Sequence, residues 1–376
     1  MRFLHTADWQ LGMKAAQVGE TGARVREERL HALERVAAQA NSVEFVLVAG
    51  DTFENNGVDR TLVQRAADIL SAFRVPIYVI PGNHDPLSPG SVWNHPVWGS
   101  IGNLHVLREE EPVEIPGGVL YPCPVRQKRS AKDPTVWIRA GGAEGVRVGL
   151  AHGTVEDIPQ EEPDYPIPRD AASRAGLDYL ALGHWHSTAF YPGQDGATHM
   201  AYSGTHETTS FGERDSGNVL IVEVPGAGIT PVITPVRTGS LCWKVVEGDI
   251  RYRGDLLRIR RQVETMKNSA STLIELRISG LLAAEDRDDL TRIQEILDSR
   301  SRRFLFARLD MSRIRPSPQD ENWVAGLPAG IIRQAGLRLR EMANPDFTGE
   351  RSKGASAEVA SRALMELYAM ITEGAG

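Results

Sequence analysis

The sequence predicts an α/β protein followed by a small α/β cap and a helical C-terminal tail. Three observations carry this reading. Up to about residue 238, short apolar runs of strand length alternate with helical patterns. Several of those runs end in a small or turn-forming residue followed by Asp, Asn or His. After residue 240 a strand–helix–strand pattern leads to Pro316-Ser317-Pro318, and two further helical patterns follow that break.

Taken in order, Phe3-Leu4-His5-Thr6 reads as the first strand. Val25 to Ala38 is a helix with Leu30, Leu33 and Val36-Ala37 on one face, and Leu62 to Phe73 is a second. Phe45–Ala49, Ile77–Ile80, Val146–Ala151 and Tyr179–Leu182 are short apolar strands, and buried strands with intervening helices imply an α/β domain. The segment 186–238 reads differently. Ala201–Ser203 and Val219–Val222 are strands separated by Gly-rich turns, which suggests a second, more antiparallel sheet. In the cap, Leu273–Ile278 and Phe304–Ala307 are strands around a helix from Asp286 to Leu297. The tail reads as helices near 329–342 and 357–371, with a Gly/Ser/Lys linker at 350–356. The expected division is 1–238, 239–315 and 316–376.

Bulk properties exclude several classes. A chain of 376 residues is too long for one compact core. No apolar stretch approaches the roughly 18 residues of a membrane span, and the start lacks a signal-peptide pattern. Cys123 and Cys242 are the only cysteines and are far apart, so no disulfide framework is expected and a reducing cytoplasm fits. A net charge of −7 argues against coating nucleic acid by bulk charge. Basic and acidic side chains nearly balance after residue 240, so the acidic excess lies in the first part, with the candidate ligands.

The chemistry sits at the strand ends. In order these present Asp8, Gly50-Asp51, Gly82-Asn83-His84-Asp85, His152-Gly153 and Gly183-His184-Trp185-His186. Parallel strands deliver such side chains to one edge of a sheet. A single His or Gly-Asp is usually a turn or a surface residue; five such groups in order, each after an apolar run, are not. Together they offer carboxylate, amide and imidazole donors, suited to hard or borderline divalent ions. A carboxylate such as Asp51 can bridge two ions, which would clamp a phosphoryl group and activate water.

These motifs resemble the calcineurin-like metallophosphoesterases, whose pattern is D-x-H, G-D, G-N-H-[DE], H and G-H-x-H. Within that class His5-Thr6-Ala7-Asp8-Trp9-Gln10-Leu11-Gly12 is similar to the opening of the SbcD-type DNA repair nucleases. Gly50-Asp51-Thr52-Phe53-Glu54, Tyr202-Ser203-Gly204-Thr205 and Phe211-Gly212-Glu213 are similar to that subfamily too. The resemblance covers about residues 1–240; the cap is similar in layout only. It implies a four-layer αββα core and two divalent ions, manganese being the usual activator. Asp8, Asp51 and His186 would hold one ion, and Asp51, Asn83, His152 and His184 the other. It further implies a DNA exonuclease and endonuclease working with an SMC-like coiled-coil ATPase, docked through the C-terminal helices, and a homodimer. A phosphatase or small-molecule phosphodiesterase with the same metals is the alternative, as is a catalytically weakened binding subunit.

One position departs from the family: Gln10 stands where it has His. An amide oxygen can ligate a hard ion but is a weaker donor than imidazole, so Gln10 is either a weak ligand or turned away. His84 is expected to act on the leaving oxygen or the phosphate charge, with Asp85 either orienting it or merely forming the turn before Pro86. Arg126, Lys128, Arg129 and Lys132, then Arg258, Arg260 and Arg261, then Arg300, Arg302 and Arg303, are basic groups that can neutralise phosphates or simply form solvated faces. Trp93, His95 and Trp98 are expected to pack beneath a loop rather than stack on bases, and His199 and His206 to be structural.

Overall fold

The computed structural model describes all residues except 143, 157, 159–163, 194–195, 253, 268, 300–302, 319–320, 350–355 and 374–376. Arg300 and Arg302 of the last basic group, and most of the expected 350–356 linker, lie outside the described residues. The chain divides into two compact units, Met1–Trp243 and Lys244–Gly376; the expected cap and tail fall almost wholly within the second.

In chain order the first unit runs β1 (Arg2–Thr6), α1 (Gly22–Ala40), β2 (Phe45–Ala49), α2 (Arg60–Ser71), β3 (Ile77–Ile80), β4 (Leu104–Val106), β5 (Val113–Ile115), β6 (Gly118–Pro122) and β7 (Val146–His152). It continues with α3 (Ala171–Ala175), β8 (Tyr179–Gly183), β9 (Ala189–Pro192), β10 (Thr198–Tyr202), β11 (Asn218–Glu223) and β12 (Val232–Arg237). Two six-stranded sheets result, ordered β12-β11-β1-β2-β3-β4 and β5-β6-β7-β8-β10-β9. Strands β1 to β4 are mutually parallel, as are β6, β7, β8 and β10.

The period-2 alternation of strand side chains builds four layers. On β2, Phe45, Leu47 and Ala49 face the other sheet, where they meet Leu120, Val148, Leu150, Tyr179 and Ala181. Val46 and Val48 face the opposite way, into a core with Leu30, Leu33 and Val36 of α1 and Val63, Ala66 and Leu70 of α2. The outer face of the second sheet buries Leu180 and Leu182 against Ala171, Ala172 and Ala175 of α3. Helix, sheet, sheet and helix are thus joined by three apolar interfaces, the αββα arrangement that the resemblance implied. His5 lies between the sheets, its ring bonded to the Tyr179 hydroxyl (2.9 Å) and the Leu182 carbonyl (3.1 Å); burial pushes its pKa down to about 3, so it is neutral.

The expectation of a separate antiparallel sheet in 186–238 is corrected. Strand β10 joins the second sheet parallel to β8, while β11 crosses back to lie antiparallel to β1 in the first. Strand propensity does not say which edge a strand will find; that is decided by side-chain packing from distant segments.

The second unit has a three-stranded sheet ordered β13 (Cys242–Ile250), β14 (Thr272–Leu282) and β15 (Phe306–Pro316). β14 and β15 are parallel, with α5 (Arg287–Leu297) as the crossover. β13 and α4 (Asp255–Glu264) are additions to the expected strand–helix–strand pattern. Ile274, Leu276 and Ile278 pack on Leu256, Ile259 and Val263 of α4 and Ile293 and Ile296 of α5. Helices α6 (Ile331–Ala343) and α7 (Ala357–Glu373) follow; Ala360 and Leu364 of α7 are buried, while Ile331 and Ile332 are 84% and 57% exposed. No described helix is long and apolar enough to cross a membrane.

Candidate metal centre

The C-terminal ends of β1, β2 and β3 in one sheet and of β7 and β8 in the other converge. The Asp8 N–H donates to the Gly50 carbonyl (3.1 Å), and the Gly153 N–H to the Gly183 carbonyl (3.1 Å). Space is tight. A methyl group on Gly82 would collide with the Asp51 carboxylate, and one on Gly50 with the His152 ring. Gly50 also holds a left-handed φ of 88°. So do four donor-bearing residues beside it: Asp8 (54°), Gln10 (40°), Asp51 (51°) and His184 (107°). Left-handed backbone is costly for residues with a Cβ, and it persists where surrounding structure imposes it.

Asp8, Asp51 and His152 are fully or almost fully buried, and each offers a donor atom within 4.8 Å of the other two. The His184 N–H donates to both Asp8 oxygens (3.1 and 3.0 Å), and the His84 N–H to Asp51 Oδ1 (2.8 Å). His152 Nδ1 lies 2.8 Å from the Ala49 carbonyl. A carbonyl can only accept, so Nδ1 carries the hydrogen and a neutral ring would present a lone pair at Nε2. That Nε2 lies 2.9 Å from Asn83 Oδ1 and 3.4 Å from Asp51 Oδ2. The Asn83 amide nitrogen is held by Asp164 (3.2 Å), so its oxygen faces the imidazoles, with His184 Nδ1 3.4 Å away.

Three acceptors therefore converge with no donor of their own between them, which is the condition a cation satisfies. Without an ion, a proton on Nε2 fills that place. Burial alone would depress the His152 pKa, yet the Asp51 carboxylate carries it up to about 9. Burial alone would raise Asp51, but His152 and His84 outweigh it and hold that carboxyl well below the usual range. Asp8 is pushed up to about 6, mainly by burial, against the pull of His152 and His186. Such a concentration of buried, opposed charge marks a functional site. The donor set fits divalent ions.

Asp85 does not reach the His84 ring. Its carboxylate accepts from the Gly82 N–H (2.7 Å) and the Phe53 N–H (3.0 Å), which ties the third strand end to the second. Burial and the nearby Asp51 push Asp85 up to about 7. The His84 ring is held instead by the Glu54 carbonyl, 2.9 Å from Nδ1. Nε2 then sits 4.0 Å from Asp51 Oδ2, on a side chain about one-third exposed.

Gln10 is 7% exposed. Its backbone is fixed by a bond from its N–H to the Asp51 carbonyl (2.9 Å). His186 Nδ1 lies 3.0 Å from the Glu213 carboxylate and 3.2 Å from the Thr209 hydroxyl. Burial would lower the His186 pKa, but Glu213 reverses the direction and raises it.

Three contributors were given no site role by the sequence, where Glu213 entered only through the Phe211-Gly212-Glu213 resemblance. Glu213 and Asp164 hold ligand candidates from loops. Arg29 on α1 is buried and donates to the carbonyls of Trp9 (Nε, 3.1 Å), Asp8 (3.3 Å) and Glu207 (2.7 Å), so it fixes the backbone that carries Asp8. Only a helical Arg on an otherwise apolar face, four residues from both Val25 and Leu33, could have signalled it.

Other candidates sit apart from this chemistry. Trp93 and Trp98 are buried against Phe53, and His95 caps a short turn through Val97, so this loop packs as expected. His199 bonds the Asp178 carbonyl and His206 the Arg29 carbonyl. Arg126 pairs with Glu109, Arg258 with Asp255 and Arg260 with Asp289, so these cations are already neutralised locally. Arg303 bonds the Glu264 carbonyl.

Residues 1–188 match the family model of the calcineurin-like phosphoesterases, and the chain belongs to that family. Within it Asp8, Asp51 and His152 form a candidate metal site. Among curated proteins it is similar to an uncharacterized metallophosphoesterase, YhaO, of Bacillus subtilis (strain 168), at 25% identity over 229 residues. That match covers 54% of this chain and 55% of YhaO, so the chain spans about half the length of this relative. Solved structures include TT1561 of Thermus thermophilus (TM-score 0.39, 11% identity, 63% of this chain and 99% of that one). Another is zinc-complexed Vps29 of Entamoeba histolytica (TM-score 0.30, 14% identity, 63% and 99%).

Proposed function

We propose that this chain is a DNA nuclease that hydrolyses phosphodiester bonds with two divalent ions, manganese foremost. Asp8, Asp51 and His186, with Gln10 as a weak fourth donor, would hold one ion; Asp51, Asn83, His152 and His184 would hold the other. Bound ions would neutralise phosphate charge and lower the pKa of water. The chain's own residues then divide the remaining work. Asp51 supplies a carboxylate to both positions. Asn83 and His152 are fixed by Asp164 and Ala49 so that their donor atoms already face inward. His84, anchored through Nδ1 to the Glu54 carbonyl, presents Nε2 for a proton at the leaving oxygen.

One observation carries the nuclease reading. The segments that resemble the SbcD-type nucleases are the ones that touch these side chains. Glu54 holds His84, Thr205 donates to the Asp8 carbonyl (2.8 Å), and Glu213 holds His186. The Tyr202 hydroxyl donates to the Gly153 carbonyl next to His152 (2.6 Å). The partner reading follows the same resemblance: an SMC-like coiled-coil ATPase docked on the C-terminal helices, with the nuclease a cytoplasmic homodimer.

The deciding experiment incubates the full chain with linear duplex, single-stranded and hairpin DNA in manganese, magnesium or zinc. Bis-p-nitrophenyl phosphate and p-nitrophenyl phosphate run alongside. Metal-dependent DNA degradation is expected. Hydrolysis of the monoester with intact DNA would make it a phosphatase. Ion binding with no hydrolysis of any substrate would make it a weakened binding subunit.

A further inference from the structure

Every imidazole at the centre has its Nδ1 next to a protein acceptor, but the acceptors differ. For His152 and His84 it is a backbone carbonyl, for His184 the Asn83 amide oxygen at 3.4 Å. For His186 it is the carboxylate of Glu213, at 3.0 Å. Glu213 is itself held. The Thr209 N–H donates to its Oε2 (2.9 Å), the Ser210 hydroxyl to its Oε1 (3.2 Å), and the Thr209 hydroxyl also to Oε1. The side chain is only 10% exposed and cannot swing away without breaking these bonds. A carboxylate accepts only, so His186 must keep its hydrogen on Nδ1. Nε2 then has no hydrogen-bond partner among the described residues.

We propose that Glu213 is a positioning residue for the ion shared by Asp8 and Asp51: it fixes His186 as the Nδ1–H tautomer and makes Nε2 a stronger donor where Gln10 offers only an amide. The inference rests on the reading of His186 as a ligand. The physical basis is general. A carboxylate behind a metal-bound imidazole fixes ring orientation and raises ligand basicity, and its loss costs about 10–100-fold in metal affinity. What is particular to this chain is the pairing of a weakened donor and a strengthened one at the same ion position. At the other position no imidazole has a carboxylate at its Nδ1, and no such substitution occurs.

The test uses the full chain as wild type, Glu213→Gln, Glu213→Ala and Ser210→Ala. Ion affinity and stoichiometry are measured by calorimetry with manganese and, separately, zinc. The His186 ring nitrogens are followed by 15N NMR in the ion-free protein. Glu213→Gln keeps an acceptor for Nδ1–H and should retain the tautomer and affinity within several-fold. Glu213→Ala should lose the tautomer preference and weaken one of the two ion sites by about 10–100-fold, leaving the other unchanged. Ser210→Ala removes one of the bonds that hold Glu213 and should weaken the same site less than Glu213→Ala does. If Glu213→Ala keeps both affinities and the Nδ1–H tautomer, the positioning role is overturned. A wild-type chain that binds fewer than two ions overturns the two-ion reading and this role together, an outcome distinct from the failure of Glu213 alone.

Discussion

His84 and Glu54 form a fixed pair: the Glu54 carbonyl takes the Nδ1 hydrogen at 2.9 Å, and the ring's other nitrogen is turned toward the Asp51 side of the centre, 4.0 Å from Oδ2. Because a backbone carbonyl holds the ring, no side-chain substitution at position 54 can remove that acceptor. The ring itself is the exposed member of the cluster. His84→Ala should therefore leave the two proposed ions bound and slow hydrolysis by about 10²–10⁴-fold, the usual scale for a positioned acid or base. The check is metal content by mass spectrometry beside single-turnover rates. Loss of an ion in this variant would make His84 a ligand.

Asp51 faces His152 through one oxygen and the His84 backbone through the other. Asp51→Asn removes the charge that both proposed ions would share and leaves the His152 imidazolium without its partner. Phosphoesterase activity should fall to near background, with fewer than two ions per chain and a circular-dichroism spectrum like that of wild type. Full activity with two ions retained would remove Asp51 from the bridging role.

Gln10 gives the third prediction. The residue is only 7% exposed, and its N–H is bonded to the Asp51 carbonyl. Gln10→His should lower the manganese concentration for half-maximal cleavage. Gln10→Ala should do less harm than Asp8→Ala, since water replaces a neutral donor more easily than a charged one. Manganese titrations of all four proteins decide this. A neutral Gln10→His together with a Gln10→Ala as damaging as Asp8→Ala would assign Gln10 to substrate or to a specialised ligand role.

The fourth concerns the tail. Ile331 and Ile332 open α6 and are largely exposed, while Val324 and Leu364 are buried. If the proposed coiled-coil ATPase docks on this helix, Ile331→Asp with Ile332→Asp should abolish its pull-down and leave the proposed metal-dependent hydrolysis within two-fold of wild type (~0.4 kcal/mol). Retained pull-down would move the docking site off this helix.

A fifth prediction tests stability away from the centre. Asp178 accepts from the Arg147 guanidinium (2.7 and 3.0 Å), the Arg147 N–H and the Gly228 N–H. Burial would raise its pKa, but these donors lower it. The folded value is therefore below the unfolded one of about 3.9. Its stabilisation is fully present above the unfolded value and disappears as pH falls through the folded one. Asp178→Asn should cost about 1.5–3 kcal/mol at pH 7, read from urea midpoints. The difference between the two proteins should shrink below about pH 4. A pH-independent difference would make the loss one of shape rather than charge.

The strand ends were legible because their chemistry is local: an apolar run followed by Gly-Asp or Gly-Asn-His delivers its side chain to the sheet edge whatever the neighbouring strands are. Position in the sheet was not local. The partners of β10 and β11 lie in different sheets although the two strands are close in sequence. β13 and α4 were missed for another reason. Their charged residues, Lys244, Glu247, Arg258 and Arg261 among them, hid a narrow apolar stripe of Val246, Leu256, Ile259 and Val263. Glu213, Asp164 and Arg29 act by holding other groups, and such roles leave no period or spacing in a sequence. Asp85 shows the reverse case: of its two expected roles, orienting His84 or forming the turn before Pro86, the bonds to Gly82 and Phe53 favour the turn.

The left-handed backbone at Asp8, Gln10, Asp51 and His184 has a consequence for the life of the molecule. Each such residue carries about 1–2 kcal/mol of strain, and bound ions would hold the segments in place against it. A chain stripped of its ions would relax first at residues 8–10 and 51, where proteases and amide hydrogen exchange would find it before any other part of the first unit. Metal supply would then govern how long each copy survives in the cell, and starvation for the ion would be felt as turnover before it was felt as slow catalysis.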